Sequence, residues 1–422
     1  MPMQRNSTGD ETGWFAEVPP YRLATLRVAL ATTTLVFHVP KFNALIDRYV
    51  ASTFHIPPAF PWIPPVTHAG GTLLMGLQHL AAWGLLLGFS PRLSAWFLSA
   101  VGFYLISLDP EHYSHNAQFH LTLLALVGCS GERVTLSQLL RGDDSGDKCP
   151  AWPEVLVRIQ ASIVFFYAAL DKVFSPYWSL SGGLLAAMAV TEHGPGLAWL
   201  QSVNQAAIRA FPAAMSVMTA TLEFSLAAVF LYRPLWRVGI VVGFVFVMYL
   251  EFLLKPGLFA WDMLAAFLVM MPAGDRSWTF LHDRECSSCL RNWTLLARLD
   301  WLRRVRCVPA QEAVAPESPP ALGCDRKHTR FHLISPRGRE YRGFDVFRVL
   351  ALIFPGPVFV VLVLARFGGG FLAARGFGHW DDLPYLMLGA LLILWLPEVP
   401  RLVSRPFYGA PRGTSRDGAV PE

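Results

Sequence analysis

Apolar runs of about one membrane span, separated by short polar breaks, fill the first two thirds of the chain. Leu23–Val39 is the first apolar helix, and Arg27 sits inside it. An intramembrane Arg is costly, so it should face the bundle or snorkel to the near interface. Residues 40–68 are rich in Pro and aromatics, include His55 and His68, and read as a packed loop. Gly70–Phe89 and Leu93–Leu108 follow as a second and third helix, joined by Ser90-Pro91-Arg92. Phe119–Cys129 is a fourth that begins near His115, and residues 131–153 form a charged loop. Val155–Leu170, Ala213–Tyr232, Trp236–Leu254 and Leu258–Met271 bring the count to about eight helices, the last of them short but sufficient with tilt.

The texture changes over residues 277–343. Trp278–His282 reads as a short strand, Cys286-Ser-Ser-Cys289 opens a helix over Leu290–Leu302, and Val305–Val308 is a second strand. Ala310–Pro320 is a Pro/Ala/Glu linker, and His328–Ser335 with Arg339–Gly343 make a hairpin around Pro336-Arg-Gly. Strand, C-x-x-C, helix, strand, hairpin is the outline of a small thioredoxin-like α/β domain. Val346–Ala365 and Leu383–Leu396 are apolar again. The expected organisation is a polar tail over 1–20, a helical bundle over 21–275, the α/β domain over 277–345, apolar helices over 346–400 and a polar tail over 401–422.

Composition agrees. Of 422 residues 53% are hydrophobic and 15% charged, too apolar for a soluble chain of this length. The class is mainly α, a polytopic membrane bundle in contact with lipid. The net charge of +5 comes from loop Arg residues and suggests no nucleic-acid surface. The first apolar run begins near Leu23 without a small-residue cleavage site, so no cleavable signal peptide is expected. Six Cys are too few and scattered for a disulfide framework.

Loop charge also predicts orientation. Arg92, Arg133, Arg141, Lys148, Arg233 and Arg237 lie on one side with Arg276, Arg284 and Arg291 after the last bundle helix. The positive-inside rule makes that side cytoplasmic. The opposite side collects His38, Lys41, His55 and His68, then His112, His115 and His120. Asp171, Lys172, His193, Glu251, Lys255 and Asp262 join them there. A functional site on the outer face follows.

Lys172 ends an uncharged run from Ile159 to Leu170 and is followed by Pro176, Trp178, Gly182, Gly183 and Pro195. A Lys so placed either snorkels to the interface or lines a cavity as a base. The Gly/Pro-broken segment after it has the texture of a re-entrant or cavity-lining stretch. Glu223, mid-helix, is either neutral and bonded to a neighbouring helix or paired with Lys172 or Arg27. His112, His115 and Asn116 share i, i+3, i+4 spacing beside Glu111, and with His120 they suggest acid/base work or substrate hydrogen bonding rather than a metal site. Cys286 at a helix N-terminus gains thiolate character, which suits exchange with Cys289 and favours redox chemistry over zinc.

Two resemblances follow from these stretches. LATLRVAL, FFYAALDKVFSPYW, TLEFSLAAVF and GLFAWDMLAAF, over roughly residues 20–275, resemble the HTTM superfamily, which includes the vitamin K-dependent gamma-carboxylases. That resemblance implies that Lys172 is a base deprotonating a lipophilic hydroquinone, with Asp171, Trp178 and Glu223 as supporting elements. It implies carboxylase- or epoxidase-like chemistry or another redox reaction. The family's His and Asn before its last motif have apolar counterparts here, at Val247 to Leu250. HDRECSSC and GREYRGFDVFRVL resemble the DCC family of thiol–disulfide oxidoreductases, with Asp283, Cys286 and Cys289 in place and Arg284 where Gly is usual. Together they imply a multi-pass bacterial inner-membrane enzyme with a quinone-like substrate or cofactor, a cytoplasmic DCC-like domain and a thiol redox partner. The rival is a non-catalytic partner in export or maturation of a small peptide.

Overall fold

The computed structural model describes residues 14–51, 62, 64–108, 115–142, 148–174, 195–254, 258–282, 287–309, 332–336, 338–376 and 380–395. Helix α1 (Tyr21–Thr33) runs into a π-helical turn (Thr34–His38) and on into α2 (Val39–Ala51). Pro40 lacks the N–H that would bond the Val36 carbonyl, and its ring crowds that carbonyl, so the turn widens there. The structure thus corrects the reading of residues 40–68 as a loop from the start: α2 is amphipathic and its polar face hid it. Then come α3 (His68–Leu87), α4 (Pro91–Leu108), α5 (His115–Cys129), α6 (Leu136–Arg141), α7 (Trp152–Phe174) and α8 (Pro195–Ala210). The bundle continues with α9 (Pro212–Leu231), α10 (Trp236–Leu254) and α11 (Leu258–Phe267). Among the described residues, six helical stretches are long and apolar enough to cross a membrane. They include Tyr21–Ala51 as one continuous rod and Pro355–Ala374 near the C-terminus.

The interhelical loops are better built than a charged loop requires. The stretch expected as loop at 131–153 holds α6, whose N-terminus is closed by a capping box between Thr135 and Gln138. It also holds β2 (Cys149–Pro150), which pairs antiparallel with β1 (Glu17–Val18), so the end of the expected polar tail is pinned to the bundle. Gly88 ends α3 at φ +83°, and a Cβ there would come within 2.8 Å of Thr135 Cα, so this position needs glycine twice over. Residues 175–194 lie outside those described, and the re-entrant reading of that segment with them. Pro195, expected as a breaker, instead opens α8 at a position where Pro is at home.

The α/β domain has the expected topology. β3 (Trp278–His282) pairs parallel with β4 (Val305–Pro309) across α12 (Ser287–Leu299). β5 (His332–Ile334) pairs antiparallel with β3 and, through a hairpin, with β6 (Glu340–Arg342). The order β4-β3-β5-β6 with one parallel pair is a thioredoxin-like sheet. The expected single apolar helix from Val346 is split at Phe354-Pro355 into α13 (Phe344–Ile353) and α14 (Pro355–Ala374), because Pro355 can start a helix but not continue one. The halves go separate ways. Val346, Val349, Leu350 and Ile353 of α13 pack under the sheet with Phe280, Val305 and Leu333. Phe359, Leu362 and Val363 of α14, with Tyr385 and Leu388 of α15 (Leu383–Trp395), join the large core of the bundle.

The two units touch at one end of the bundle. Trp301 packs on Ala24 and Val28 of α1. Arg303, at φ +54°, donates to the carbonyls of Asp300 (2.7 Å), Gln138 and Leu139 (both 3.2 Å) and lies over the Tyr21 ring.

Candidate functional site

Two buried polar clusters among the described residues, one at Lys172 and one at His120, lie at different distances from the end of the bundle that bears the α/β domain. At that end Arg22 pairs with Glu154 at 3.0 Å and Arg27 with Glu132 at 2.9 Å. Arg27 faces the bundle, one of its two expected options, and its guanidinium also caps the carbonyls of Leu85, Leu86 and Val134. Burial pushes the Glu132 carboxyl up, and Arg27 and the Val134 N–H hold it back. Arg27 is therefore not the partner of Glu223.

Lys172 is. Its ammonium lies 2.9 Å from Glu223 Oε1 and 2.8 Å from Oε2, both side chains buried, and it also donates to the Ala168 carbonyl at 3.3 Å. Helices α7 and α9 pack against each other to make this meeting. Ser162 donates to the Ala227 carbonyl at 2.5 Å and Phe165 meets Phe230, about three and two turns before Lys172. The amine turns inward, so it does not snorkel. Glu154 and Lys172 are 18 residues apart on α7, about 27 Å at helical rise, which puts the pair far from the α/β domain. Asp171, one residue earlier, is exposed and outside the pair. Trp178 lies outside the described residues.

The second cluster is His38, His120 and Asp262, from the π turn, α5 and α11, all within 1% of full burial. His120 Nδ1 is 2.7 Å from Asp262 Oδ1 and His38 Nε2 is 3.4 Å from Oδ2. The two imidazoles stack with centroids 3.5 Å apart. The nitrogen and oxygen atoms that could hold a metal all lie within 4.8 Å of one another. His115 is exposed at the start of α5 while His120 faces the core, so the expected cluster of neighbouring His residues does not act as one set. His112 lies outside the described residues. His38 and Asp262 stand in the sequence as outer-face polar residues; what binds them to His120 is contact across 82 and 142 residues, which no local spacing carries.

Asp283 and Cys286 fall outside the described residues, and Cys289 falls on α12 with its side chain outside them. What is described is their frame. β3 ends at His282, whose Nδ1 is 3.1 Å from Cys307 Sγ on β4. Burial pushes that thiol up to about 11, which keeps it neutral rather than nucleophilic near pH 7.

Known families match in two places. The model of the HTTM domain matches residues 15–275, and that of DCC1-like thiol-disulfide oxidoreductases matches residues 280–405. The second match runs past the sheet through α14 and α15, the helices that pack into the bundle. No curated protein and no solved structure matches the chain.

Proposed function

Since the chain belongs to the HTTM domain family, whose model covers residues 15–275, we propose that it is a membrane enzyme acting on a lipophilic, quinone-like substrate, with Lys172 as base and Glu223 as its proton partner. The observation that carries this reading is the buried pair, with the ammonium held at 2.8 Å from a carboxylate and turned away from water. An ammonium proton of Lys172 passes to Glu223, leaving an amine and a carboxylic acid. The amine lone pair then takes the hydroxyl proton of a hydroquinone. The O–H electron pair stays on oxygen, so a hydroquinone anion stands beside a restored ammonium. A low-dielectric surround sharpens the response of the Lys–Glu pair to a nearby anion. Ile163, Phe166, Tyr167 and Phe174 leave an exposed apolar flank on α7 beside the pair, an approach suited to a lipid-dissolved ring.

In this reading the α/β domain works separately, on the cytoplasmic side of a bacterial inner membrane. Cys286 as thiolate attacks a partner disulfide and forms a mixed disulfide. Cys289 then resolves it, leaving an intramolecular disulfide and a reduced partner. Loop Arg residues support this orientation. The test of the substrate class is extraction of the purified protein in lipid nanodiscs, with quinones and peptides measured by mass spectrometry. Near-stoichiometric quinone or hydroquinone, reduced in Glu223→Leu, is the expected result. A stoichiometric peptide with no quinone overturns it in favour of a non-catalytic role in peptide export or maturation.

A further inference from the structure

Three side chains that can ligate a metal converge at the second cluster, their donor atoms all within 4.8 Å of one another. Thr34 Oγ lies 2.7 Å from the Leu30 carbonyl and 3.0 Å from His120 Nε2, and His120 Nδ1 lies 2.7 Å from Asp262 Oδ1.

A proton on His120 Nδ1 accounts for that last contact. A metal ion accounts for it together with a second one, in which the same carboxylate faces His38 Nε2 at 3.4 Å. Cis ligands bound at about 2.1 Å stand roughly 3 Å apart, and the two observed separations bracket that figure. The donor set, two imidazoles and one carboxylate, is the one that holds non-haem Fe(II) or catalytic Zn(II) with further positions open. An outer partner is already present: with a metal on Nδ1, the His120 Nε2–H would donate to Thr34 Oγ, which in turn reaches the Leu30 carbonyl, as partners of metal-bound His do. His38 Nδ1 is buried and has no hydrogen-bond partner among the described residues. The three residues come from three elements, and the π turn that carries His38 and Thr34 is the kind of irregularity found at functional sites.

We propose that His38, His120 and Asp262 bind one divalent first-row transition-metal ion through three protein ligands. The site is distinct from the Lys172–Glu223 pair and does not rest on the base role of Lys172. The measurement uses the full-length protein in detergent, purified through a tag that contains no His and without chelators. Metal content is read by mass spectrometry, and Co(II) is titrated into chelator-treated protein while its visible d–d bands are followed. Wild type should carry about one Fe or Zn per chain and bind about one Co(II), the stoichiometry of a single three-ligand site. His38→Gln and Asp262→Asn should each lose at least nine tenths of both while eluting as wild type on size exclusion. Monodisperse wild type that neither retains metal nor binds Co(II) overturns the proposal and leaves a proton in the position. Metal that persists in both variants overturns it too, by placing the ion elsewhere. If the variants do not fold, the wild-type titration alone decides.

Discussion

Arg27 and Glu132 meet at 2.9 Å across 105 residues of sequence, each side chain at 1% exposure or less. The pair nails α1 to the loop between α5 and α6, and Arg27 supplies donors to three carbonyls besides. Removing one partner leaves a buried charge unmatched, at about 3–5 kcal/mol. Arg27→Met should therefore lower the unfolding temperature in detergent sharply. Glu132→Gln keeps only one of the two acceptors that Arg27 and the Val134 N–H use and leaves the Arg27 cation unmatched, so it should also lower the unfolding temperature, and thermal unfolding followed by size exclusion checks both.

For Lys172 two substitutions separate anchor from base. Lys172→Arg keeps a cation for Glu223 but removes a group that can release its proton. It should leave expression unchanged and cut hydroquinone turnover at least about a hundredfold, the usual share of a positioned base. Lys172→Met leaves Glu223 buried without its cation and should also reduce the folded yield. Turnover in both variants equal to wild type would make Lys172 an anchor alone.

Cys149 offers a pH test. Its thiol is pushed up to about 12, first by burial and then by the carboxylates of Glu154 and Glu132. A raised pKa means the folded state resists ionisation that the unfolded chain allows from about 9 upwards. The stability is whole below that value and declines as pH rises towards 12. With Cys149 as the sole cysteine, alkylation at pH 8.5 should run about a thousandfold slower than for a free thiol, in proportion to thiolate fraction. Labelling at the free-thiol rate would mean that β1 does not cover β2.

The orientation and the redox pair can be read together. An impermeant maleimide applied to intact cells should reach a Cys introduced at His112 and spare Cys286. In the same cells Cys289→Ser should trap a mixed disulfide through Cys286, visible on non-reducing gels. Labelling of Cys286 from outside would reverse the topology, and absence of any trapped species would leave the C-x-x-C without exchange activity.

The C-terminal helices should matter to the bundle more than to the domain they follow. Arg366 lies 3.8 Å from the buried Glu251 carboxylate, and the Tyr385 hydroxyl donates to the Glu251 carbonyl at 3.3 Å. The core under the sheet, by contrast, is closed by Phe354. A chain ending after Phe354 should keep a protease-resistant α/β core while the bundle aggregates in detergent.

How much of this the sequence carried depended on whether a signal was local. The long helices stand out because apolar runs of span length leave few alternatives, and the hairpin around Pro336 follows from turn chemistry. Helices α2 and α8 did not stand out, since Lys41, Asp47, Arg48 and the Gln-rich stretch before Arg209 read as loop when apolar content is the only guide. Lys172 and Glu223 were legible as partners because each charge is anomalous within its own apolar run. His38 and Asp262 were not, because each passes for an interfacial polar residue until folding sets it against His120. The split at Pro355 was visible in type but not in consequence: no sequence pattern says that the two halves serve different cores.

That split has a bearing on how the protein is made. Synthesis runs from the N-terminal side to the C-terminal side, so the bundle helices up to α11 are made before the sheet is translated. The sheet has all its core residues once Phe354 has emerged, and only then do Phe359, Val363 and Tyr385 arrive to fill the remaining side of the bundle. The α/β sheet is thus placed in time as well as in sequence between the parts of a single helical core. A nascent chain stalled before α14 lacks Arg366 and Tyr385 beside the Glu251 residue that they contact in the finished fold.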